Sequence, residues 1–280
     1  LVLGAGGQLG RALHAEFTDR AEVEYATRAD LDLTAGGFAD ARTWSNYDVI
    51  INAAAFTGVD AAETDEGRRD AWAANVTAVA TMARVATQHR LALIHVSSDY
   101  VFDGTLDRPY RESDPVCPVG AYGQTKAAGD AIVGTVPRHY VLRSSWVVGD
   151  GKNFVRTMAS LAERGIEPKV VDDQIGRLTF ASEMARAIRH LLESGAPYGT
   201  YHLTGGGVPA SWCEVARLVF ELTGNDPIRV SGVSTEAYFA NASGPVASRP
   251  ANSVLDVSKI EASGFAPVDW RITLAGYLGG

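Results

Sequence analysis

The chain opens with Leu1-Val2-Leu3-Gly4-Ala5-Gly6-Gly7-Gln8-Leu9-Gly10, an apolar run that leads directly into a turn with glycine at positions 4, 7 and 10. The run predicts a short buried strand, and Leu9, Leu13 and Phe17 then lie on one stripe of a predicted helix. Glycines at such a turn let the backbone approach a pyrophosphate, and the helix amino terminus offers free amides to it. The stretch therefore predicts a dinucleotide site whose cofactor-binding residues include Gly4, Gly7, Gln8, Leu9 and Gly10.

Predicted strands and helices alternate outward from this turn, which is typical of βαβ units and a parallel sheet. We expect an α/β fold: a Rossmann-like doubly wound parallel sheet with a smaller C-terminal substrate-binding subdomain. Residues 1–150 are predicted to form the dinucleotide-binding domain and 151–280 mostly the subdomain, with elements from about 168–195 returning to the first domain. The predicted strands cover residues 22–26, 49–53, 91–96, 139–148 and 169–172; the helices cover 70–89, 153–164 and 211–223; residues 235–250 are predicted to be loop.

Composition narrows the classes of protein that the chain can represent. Its 280 residues are 46% hydrophobic and 21% charged, as in an ordinary globular protein. The net charge of −8 gives no broad basic surface for nucleic acid. Cys117 and Cys213 are the only cysteines, so we expect a reducing cytoplasm, and no apolar run is long enough to predict a membrane span. Because the chain starts without methionine inside an apolar run, we expect a few residues to precede Leu1.

A tyrosine and a lysine four residues apart, Tyr122 and Lys126, are the candidate reacting groups. On a helix this spacing puts phenol and ammonium on one face, where the ammonium favours the phenolate and lowers the pKa of the tyrosine. Ser98, just after the strand predicted at 91–96, offers a hydroxyl to hold a substrate oxygen beside them. The spacing alone also arises by chance. Its position after a dinucleotide turn favours a proton-donating site.

The end of the second predicted strand carries Thr27-Arg28, followed by Asp32 and Leu33. A carboxylate there would bind a ribose 2′-hydroxyl, whereas an arginine accepts a 2′-phosphate, so Arg28 favours NADPH and leaves NADH open. Asp32 and Leu33 are candidates to lie against the adenine. No histidine forms a metal-ligand pattern, and His95, within a buried strand, is predicted to be structural. No metal ligand is predicted.

These residues resemble the extended short-chain dehydrogenase/reductase superfamily over nearly the whole chain. Within it, the chain is similar to the reductases that make dTDP-L-rhamnose for bacterial cell envelopes. The matching motifs lie at residues 7–10, 52–60, 97–104, 122–126, 142–146, 153–155, 172–176 and 249–253.

The resemblance implies NADPH-dependent reduction of the C4 ketone of dTDP-4-dehydro-β-L-rhamnose to dTDP-β-L-rhamnose. Ser98 would hydrogen-bond the C4 oxygen, Tyr122 would protonate it, and Lys126 would hold the nicotinamide ribose and lower the pKa of Tyr122. The strand end Ala53, Ala54 and Ala55 would contact the cofactor. The residues implied for the substrate are Thr57, Val59, Tyr100, Trp146, Asn153 and Arg249, the last at the diphosphate, where a guanidinium forks well onto phosphate oxygens.

Two departures from the family pattern leave expectations open. The family often has Gly-x-Pro-Thr where this chain has Gly176-Arg177-Leu178-Thr179, so the conformation of this loop is not predicted. Some members form a magnesium-bridged dimer through a glutamate of the first helix, but here no carboxylate occurs after Gly10 until Glu16. We therefore predict a monomer or homodimer without that metal bridge, and leave magnesium dependence open.

Two alternatives to the reductase remain from the sequence. One is a non-catalytic NADP-binding regulatory subunit resembling the beta subunit of methionine adenosyltransferase. The other is a different nucleotide-sugar reductase or epimerase, since epimerases share the tyrosine and lysine. The complete set of Ser98, Tyr122 and Lys126, together with Arg249-Pro250, favours an enzyme acting on a small sugar nucleotide.

Overall fold

The computed structural model describes residues 1–19 and 22–279. Over these residues, no helix is both long enough and apolar enough to cross a bilayer. The strands are β1 (Val2–Leu3), β2 (Tyr25–Ala26), β3 (Val49–Asn52), β4 (Ala92–Ser98), β5 (His139–Ser144), β6 (Val147–Val148), β7 (Lys169–Val171), β8 (Ile175–Gly176), β9 (Thr179–Phe180), β10 (Gly199–His202), β11 (Ala210–Ser211) and β12 (Ser231–Val233). The α-helices are α1 (Gln8–Glu16), α2 (Asp65–Trp72), α3 (Ala78–His89), α4 (Ala121–Val133), α5 (Phe154–Glu163), α6 (Ala181–Ser194), α7 (Trp212–Leu222), α8 (Thr235–Phe239), α9 (Ser258–Ala262) and α10 (Trp270–Gly279).

A parallel sheet forms the centre of the molecule. Within the described residues it has six strands in the order β10-β5-β4-β3-β1-β2. The order reverses at β1, because β2 pairs on one side of it and β3 on the other. In such sheets ligands bind outside the carboxyl ends of the strands at the reversal. The predicted doubly wound α/β fold is confirmed, and the glycine turn after β1 lies at this ligand-binding position.

Helices cover both faces of the sheet, as a buried parallel sheet requires. Successive side chains of a strand point to opposite faces, and β1 shows the result. Val2 packs in one buried cluster with Leu13 of α1 and Ile188 of α6. Leu3 packs in a second cluster with Met82 of α3. These two clusters hold the strand ends that carry the candidate site at fixed positions.

A third buried cluster lies in the second half of the chain, where α5, α7 and α10 surround short strand pairs. Residues 168–195 were expected to return to the first domain, and within this range β7 pairs with β12 and not with the six-stranded sheet. The elements that do return are α6, which packs on α1, and β10, which pairs with β5 beyond the predicted range. The division of the chain near residue 150 stays a prediction.

Several predicted boundaries also change. The helix predicted at 70–89 begins at Asp65, capped by the Thr64 hydroxyl, and contains a π-helical turn at Ala73–Thr77. The strand predicted at 22–26 is limited to β2. The strand predicted at 139–148 ends with β5 and resumes as β6, because Trp146 has a φ of +50°, which no strand residue adopts. The loop predicted at 235–250 contains α8.

Candidate active site

The turn between β1 and α1 is built so that only glycine fits at two of its positions. Gly4 has a φ of +77°, and a Cβ there would lie 2.7 Å from the backbone nitrogen of Ala54. A Cβ on Gly10 would lie 2.3 Å from the carbonyl oxygen of Gly4. Gly7 is the N-cap residue of α1 and supplies no capping side chain. The first amides of the helix are therefore available to an anionic group, and this turn fits a dinucleotide pyrophosphate.

The other two predicted residues of the turn have structural contacts. The side-chain oxygen of Gln8 accepts a hydrogen bond from Gly149 N at 2.7 Å, which ties the turn to the loop after β6. Leu9 is buried against the sheet. Arg11, which the sequence did not single out, reinforces the same link by donating to the carbonyl oxygens of Gly6 and Asp150. The side chains of Gln8 and Leu9 are thus held by the protein, and the backbone amides of the turn remain for a ligand.

The carboxyl end of β2 carries the residues predicted to select the cofactor. The Arg28 side chain is 83% exposed, and its Nε lies 3.3 Å from an oxygen of Asp32. The other Asp32 oxygen accepts from Thr34 N and from the Thr34 hydroxyl, so Asp32 serves as a turn cap that also orients Arg28. Leu33 packs at the edge of the second core cluster. An exposed, oriented guanidinium at this strand end fits a 2′-phosphate.

The strand end Ala53–Ala55 lies against the glycine turn. Ala53 N donates to Leu3 O at 3.1 Å, and Ala54 N donates to the side-chain oxygen of Asn52 at 3.2 Å. The strand ends of β1 and β3 thus meet where the sheet order reverses. This arrangement brings the segment after β3 against Gly4 of the glycine turn.

Ser98, Tyr122 and Lys126 come together at the carboxyl end of β4. Ser98 ends that strand, and Tyr122 and Lys126 lie one turn apart on α4; the three side chains are at least 90% buried. The Ser98 hydroxyl donates to Asp99 Oδ1 at 2.8 Å and accepts from Tyr100 N at 3.1 Å. Lys126 Nζ donates to Val96 O at 2.6 Å.

The electrostatics of this set differ from the sequence expectation. Burial, and next the negative charge of Asp99, raise the pKa of Tyr122, while the Ser98 hydroxyl acts in the opposite direction. Burial lowers the pKa of Lys126 to about 8, opposed by Asp130. The expectation that Lys126 lowers the pKa of Tyr122 is wrong for this arrangement of side chains. The phenol of Tyr122 is therefore protonated at neutral pH, as it would also be at its ordinary pKa.

Asp99 is a buried carboxyl that the sequence did not place in the site. It is only 3% exposed, and burial raises its pKa to about 6, although hydrogen bonds from the Ser253 and Ser98 hydroxyls favour its charged form. Asp99 thus determines the direction in which the Ser98 hydroxyl points. Its position directly after Ser98 in the sequence was the available signal.

The residues predicted to contact the sugar fall into two groups. Val59 and Tyr100 pack against Tyr122, with the Tyr100 ring edge-on to it at 5.5 Å, and Thr57 is exposed on the same segment as Val59. Trp146 lies elsewhere in the chain, on the break between β5 and β6, and stacks on Trp212 with 3.7 Å between ring centroids. The left-handed backbone of Trp146 is therefore supported by a partner that the sequence did not indicate.

Asn153 and Arg249 are occupied by contacts within the chain. Asn153 caps α5 by accepting from Arg156 N, and its amide donates to Gly149 O and to the Tyr277 hydroxyl, so its side chain already has partners within the chain. Arg249 donates to both oxygens of Asp60 and to Ala247 O, and its guanidinium lies over the Phe239 ring. Any contact of Arg249 with a diphosphate would share a guanidinium that Asp60 already holds.

His95, predicted to be structural, contacts the site directly. Its Nε2 lies 3.4 Å from Lys126 Nζ, and its Nδ1 lies 3.0 Å from the side-chain nitrogen of Asn52. The signal that could have found it is a histidine in the same strand as Ser98. In the described parts of the chain, no group of three or more histidine, cysteine or acidic side chains is arranged to hold a metal ion.

A glycine turn where a parallel sheet reverses, with a serine, tyrosine and lysine grouped at a nearby strand end, defines an extended short-chain dehydrogenase/reductase fold. Residues 1–279 match the model of the family described as the RmlD substrate binding domain, and the chain belongs to that family.

Comparisons with individual proteins agree with the family. The chain is 38% identical over 291 residues to a dTDP-4-dehydrorhamnose reductase of Aggregatibacter actinomycetemcomitans, which covers 98% of this chain and 96% of that protein. A crystal structure of a dTDP-4-dehydrorhamnose reductase from Clostridium acetobutylicum superimposes with a TM-score of 0.91 at 34% identity, covering 99% of this chain and 97% of that one. The enzyme of Bacillus anthracis, solved in complex with NADP, gives 0.88 at 29% identity, with the same coverages. The resemblance inferred from the motifs is confirmed.

Proposed function

We propose that this protein reduces the C4 ketone of dTDP-4-dehydro-β-L-rhamnose to the alcohol of dTDP-β-L-rhamnose. The observation that carries the proposal is the grouping of Ser98, Tyr122 and Lys126 at the end of β4, beside the glycine turn. The names of the related enzymes support this choice of substrate. The non-catalytic alternative is not favoured, because the chain retains the complete reacting set.

NADPH is the cofactor that the residues of this chain fit. The glycine turn leaves no room for a Cβ at Gly4 or Gly10, as the tight turn and the close helix packing of a dinucleotide site require. Arg28 offers an exposed guanidinium for the 2′-phosphate, which NADH lacks. A relative of this chain was solved with NADP. The chemistry that NADPH supplies when bound is a hydride for C4 of the sugar.

The side chains of the protein orient and protonate the oxygen of the ketone. Tyr122 is the proton donor, because its phenol lies beside the Ser98 hydroxyl and keeps its proton at neutral pH. As negative charge develops on the C4 oxygen, the phenolic proton moves to it and leaves a tyrosinate beside Lys126. Ser98 orients the same oxygen once its hydroxyl turns from Asp99 toward the substrate. The buried surroundings strengthen both hydrogen bonds by excluding water.

The remaining assignments follow from the same site. Thr57, Val59, Tyr100, Trp146 and Asn153 are proposed to contact the substrate, and Arg249 its diphosphate. Both cysteines are free in the structure, which is consistent with a reducing cytoplasmic location. A monomer or homodimer remains our proposal for the assembly.

The decisive experiment supplies dTDP-4-dehydro-β-L-rhamnose and follows the loss of NADPH absorbance. The unsubstituted chain should oxidise NADPH, and Tyr122→Phe should lower kcat by about 10²–10⁴-fold while still binding NADPH. Tyr201→Phe is the matched control, since Tyr201 is also a buried tyrosine but its hydroxyl donates to Pro197 O outside the site. No oxidation by the unsubstituted chain would refute the proposed activity, and full activity of Tyr122→Phe would refute the proposed proton donor.

A further inference from the structure

The loop after β3 carries two carboxylates that each bind a different segment of the chain. Asp60 precedes a short 3₁₀ turn, Ala61–Glu63, and Glu63 ends it. Side chains three residues apart lie on the same side of a 3₁₀ helix. Asp60 binds Arg249, and Glu63 Oε1 accepts a hydrogen bond from Ala121 N at 2.8 Å. This turn therefore contacts both the arginine proposed for the diphosphate and the helix that carries the reacting tyrosine.

The amino terminus of α4 has no cap of its own. Its N-cap residue, Gly120, has no side chain, and its first turn contains no acidic residue. A carboxylate there accepts from a free amide and interacts favourably with the positive end of the helix dipole. Glu63 supplies this carboxylate from 58 residues earlier in the chain. Its other oxygen lies 3.7 Å from Arg68, whose side chain is 52% exposed, so this second contact is weak. Whereas a local cap would leave α4 independent of the loop after β3, Glu63 ties the two together.

Packing holds the turn against the same helix. Ala62 is fully buried in one cluster with Ala121 and Tyr122. A Cβ on Gly67 of α2 would lie 1.9 Å from Ala61 O, so α2 also packs directly on the turn. Because close-packed groups have little room to shift, these contacts restrict the movement of the turn relative to α4.

The two segments that the turn binds also lie against each other. A Cβ on Gly120 would lie 2.9 Å from Glu63 Oε1 and 3.6 Å from Ser248 O. Ser248 immediately precedes Arg249, which donates to both oxygens of Asp60. The start of α4, the turn and the segment before residue 250 thus form one contact region.

We propose that Glu63 is a positioning residue that fixes the start of α4, and with it the Tyr122 phenol, relative to the segment that holds Arg249. This role rests on the proposed function. The reduction requires the phenol to lie within hydrogen-bond distance of the C4 oxygen while the diphosphate occupies its own site. Because Asp60 and Glu63 lie on one turn, they set the separation between the proton donor and the diphosphate arginine.

The first test requires no activity. Hydrogen exchange of the Ala121 amide, followed by nitrogen-15 NMR without cofactor, should be about tenfold faster in Glu63→Ala than in the unsubstituted chain, because the amide loses its acceptor. Glu63→Gln keeps a side-chain oxygen and should restore slow exchange. Equal exchange rates in Glu63→Ala and the unsubstituted chain would show that Glu63 does not hold α4, and would overturn the proposal.

The second test separates kcat from KM with dTDP-4-dehydro-β-L-rhamnose as the substrate. Glu63→Ala should lower kcat by about tenfold, because the phenol is less often in position for proton transfer. KM should change by less than about twofold, since Asp60 still holds Arg249. Glu63→Gln should recover kcat to within about threefold of the unsubstituted chain, because it keeps the acceptor without the charge. A raised KM with an unchanged kcat in Glu63→Ala would contradict the proposed role.

Two further variants distinguish positioning from stabilisation of the fold. Glu112→Ala is the matched control, because Glu112 Oε1 accepts from His202 N at 2.9 Å, a similar contact outside the site, and kcat should stay unchanged. A double variant combines Glu63→Ala with Gly120→Ser, so that the introduced hydroxyl caps α4 locally without a link to the turn. Urea denaturation should show its stability restored, while kcat stays low. Recovery of kcat in the double variant would refute positioning by Glu63. If the unsubstituted chain reduces no substrate, the proposed function fails, while the exchange result still decides whether Glu63 holds α4.

Discussion

Arg249 and Asp60 form an ion pair in which Nη2 of the arginine donates to both carboxylate oxygens, at 2.9 and 2.8 Å. The pair joins the segment before residue 250 to the loop after β3, nearly two hundred residues earlier in the chain. Ala247 N donates to the same carboxylate at 3.0 Å. The guanidinium proposed for the diphosphate is thus held in place before any ligand arrives.

Arg249→Lys should therefore raise KM for the sugar nucleotide about tenfold. The reason is that a lysine lacks the planar guanidinium that can pair with Asp60 and also donate two parallel hydrogen bonds to phosphate oxygens. The affinity for NADPH should stay unchanged. Arg271→Lys is a matched control, since the Arg271 guanidinium also lies over an aromatic ring and donates to a carbonyl oxygen, but outside the site. An unchanged KM would mean that Arg249 only joins the two segments.

Arg28→Ala should weaken NADPH binding by about tenfold or more and leave NADH binding unchanged, because only NADPH carries the 2′-phosphate that the guanidinium would neutralise. Fluorescence titration of each cofactor measures both affinities, with NADH as the internal control. Equal losses for the two cofactors would show that Arg28 acts on the shape of the loop and does not contact the 2′-phosphate.

Gly10→Ala should lower the free energy of unfolding by about 2 kcal/mol or more and abolish NADPH binding, because the added Cβ would overlap the Gly4 carbonyl in a packed turn. Gly276→Ala is the control. No atom outside its own helix lies within 4 Å of a Cβ there, so it should be neutral or stabilise by about 0.5–1 kcal/mol. Urea denaturation and cofactor titration of both variants measure the contrast, and equal stabilities would contradict it.

The raised pKa of the Asp99 carboxyl should be visible in the pH dependence of the free energy of unfolding. Burial raises its pKa to about 6 in the folded chain, above the ordinary value of an unfolded aspartate. The folded chain therefore binds this proton more tightly, so the associated stability is present below about pH 4 and is lost as pH rises through about 6. A shift of about two units corresponds to about 3 kcal/mol. In Asp99→Asn the free energy of unfolding should not show this loss. The variant should therefore become more stable relative to the unsubstituted chain as pH rises from about 4 to 7.5.

Asp103→Asn provides a control of opposite sign. A hydrogen bond from the Tyr110 hydroxyl, and next one from Thr105 N, lower the pKa of Asp103, so its contribution is present at neutral pH and is lost on acidification. Urea denaturation at several pH values compares the two variants. Parallel pH profiles for Asp99→Asn and the unsubstituted chain would show that the Asp99 carboxyl is not perturbed.

Much of the site could be predicted because it depends on local spacing. The glycine turn follows from three positions within ten residues, and Tyr122 and Lys126 share a face because they lie one helical turn apart. The predictions failed where the chain departs from a regular repeat. Trp146 interrupts a strand that looks continuous in the sequence, because its backbone is held by a ring stack with Trp212, 66 residues further along.

The sequence by itself determined the α/β fold, the dinucleotide turn and the identity of the reacting side chains, since periodicity and short-range spacing encode all three. Only the tertiary structure decided the burial, the pKa and the contact partners of those side chains. The pKa of Tyr122 is raised and not lowered, because burial and the negative charge of Asp99 act on the phenol, while Lys126 donates to Val96 O. His95 contacts Lys126, and Asp60 holds Arg249, because strands and loops distant in sequence meet at one edge of the sheet. Such contacts have no repeat or spacing in the sequence from which they could be predicted.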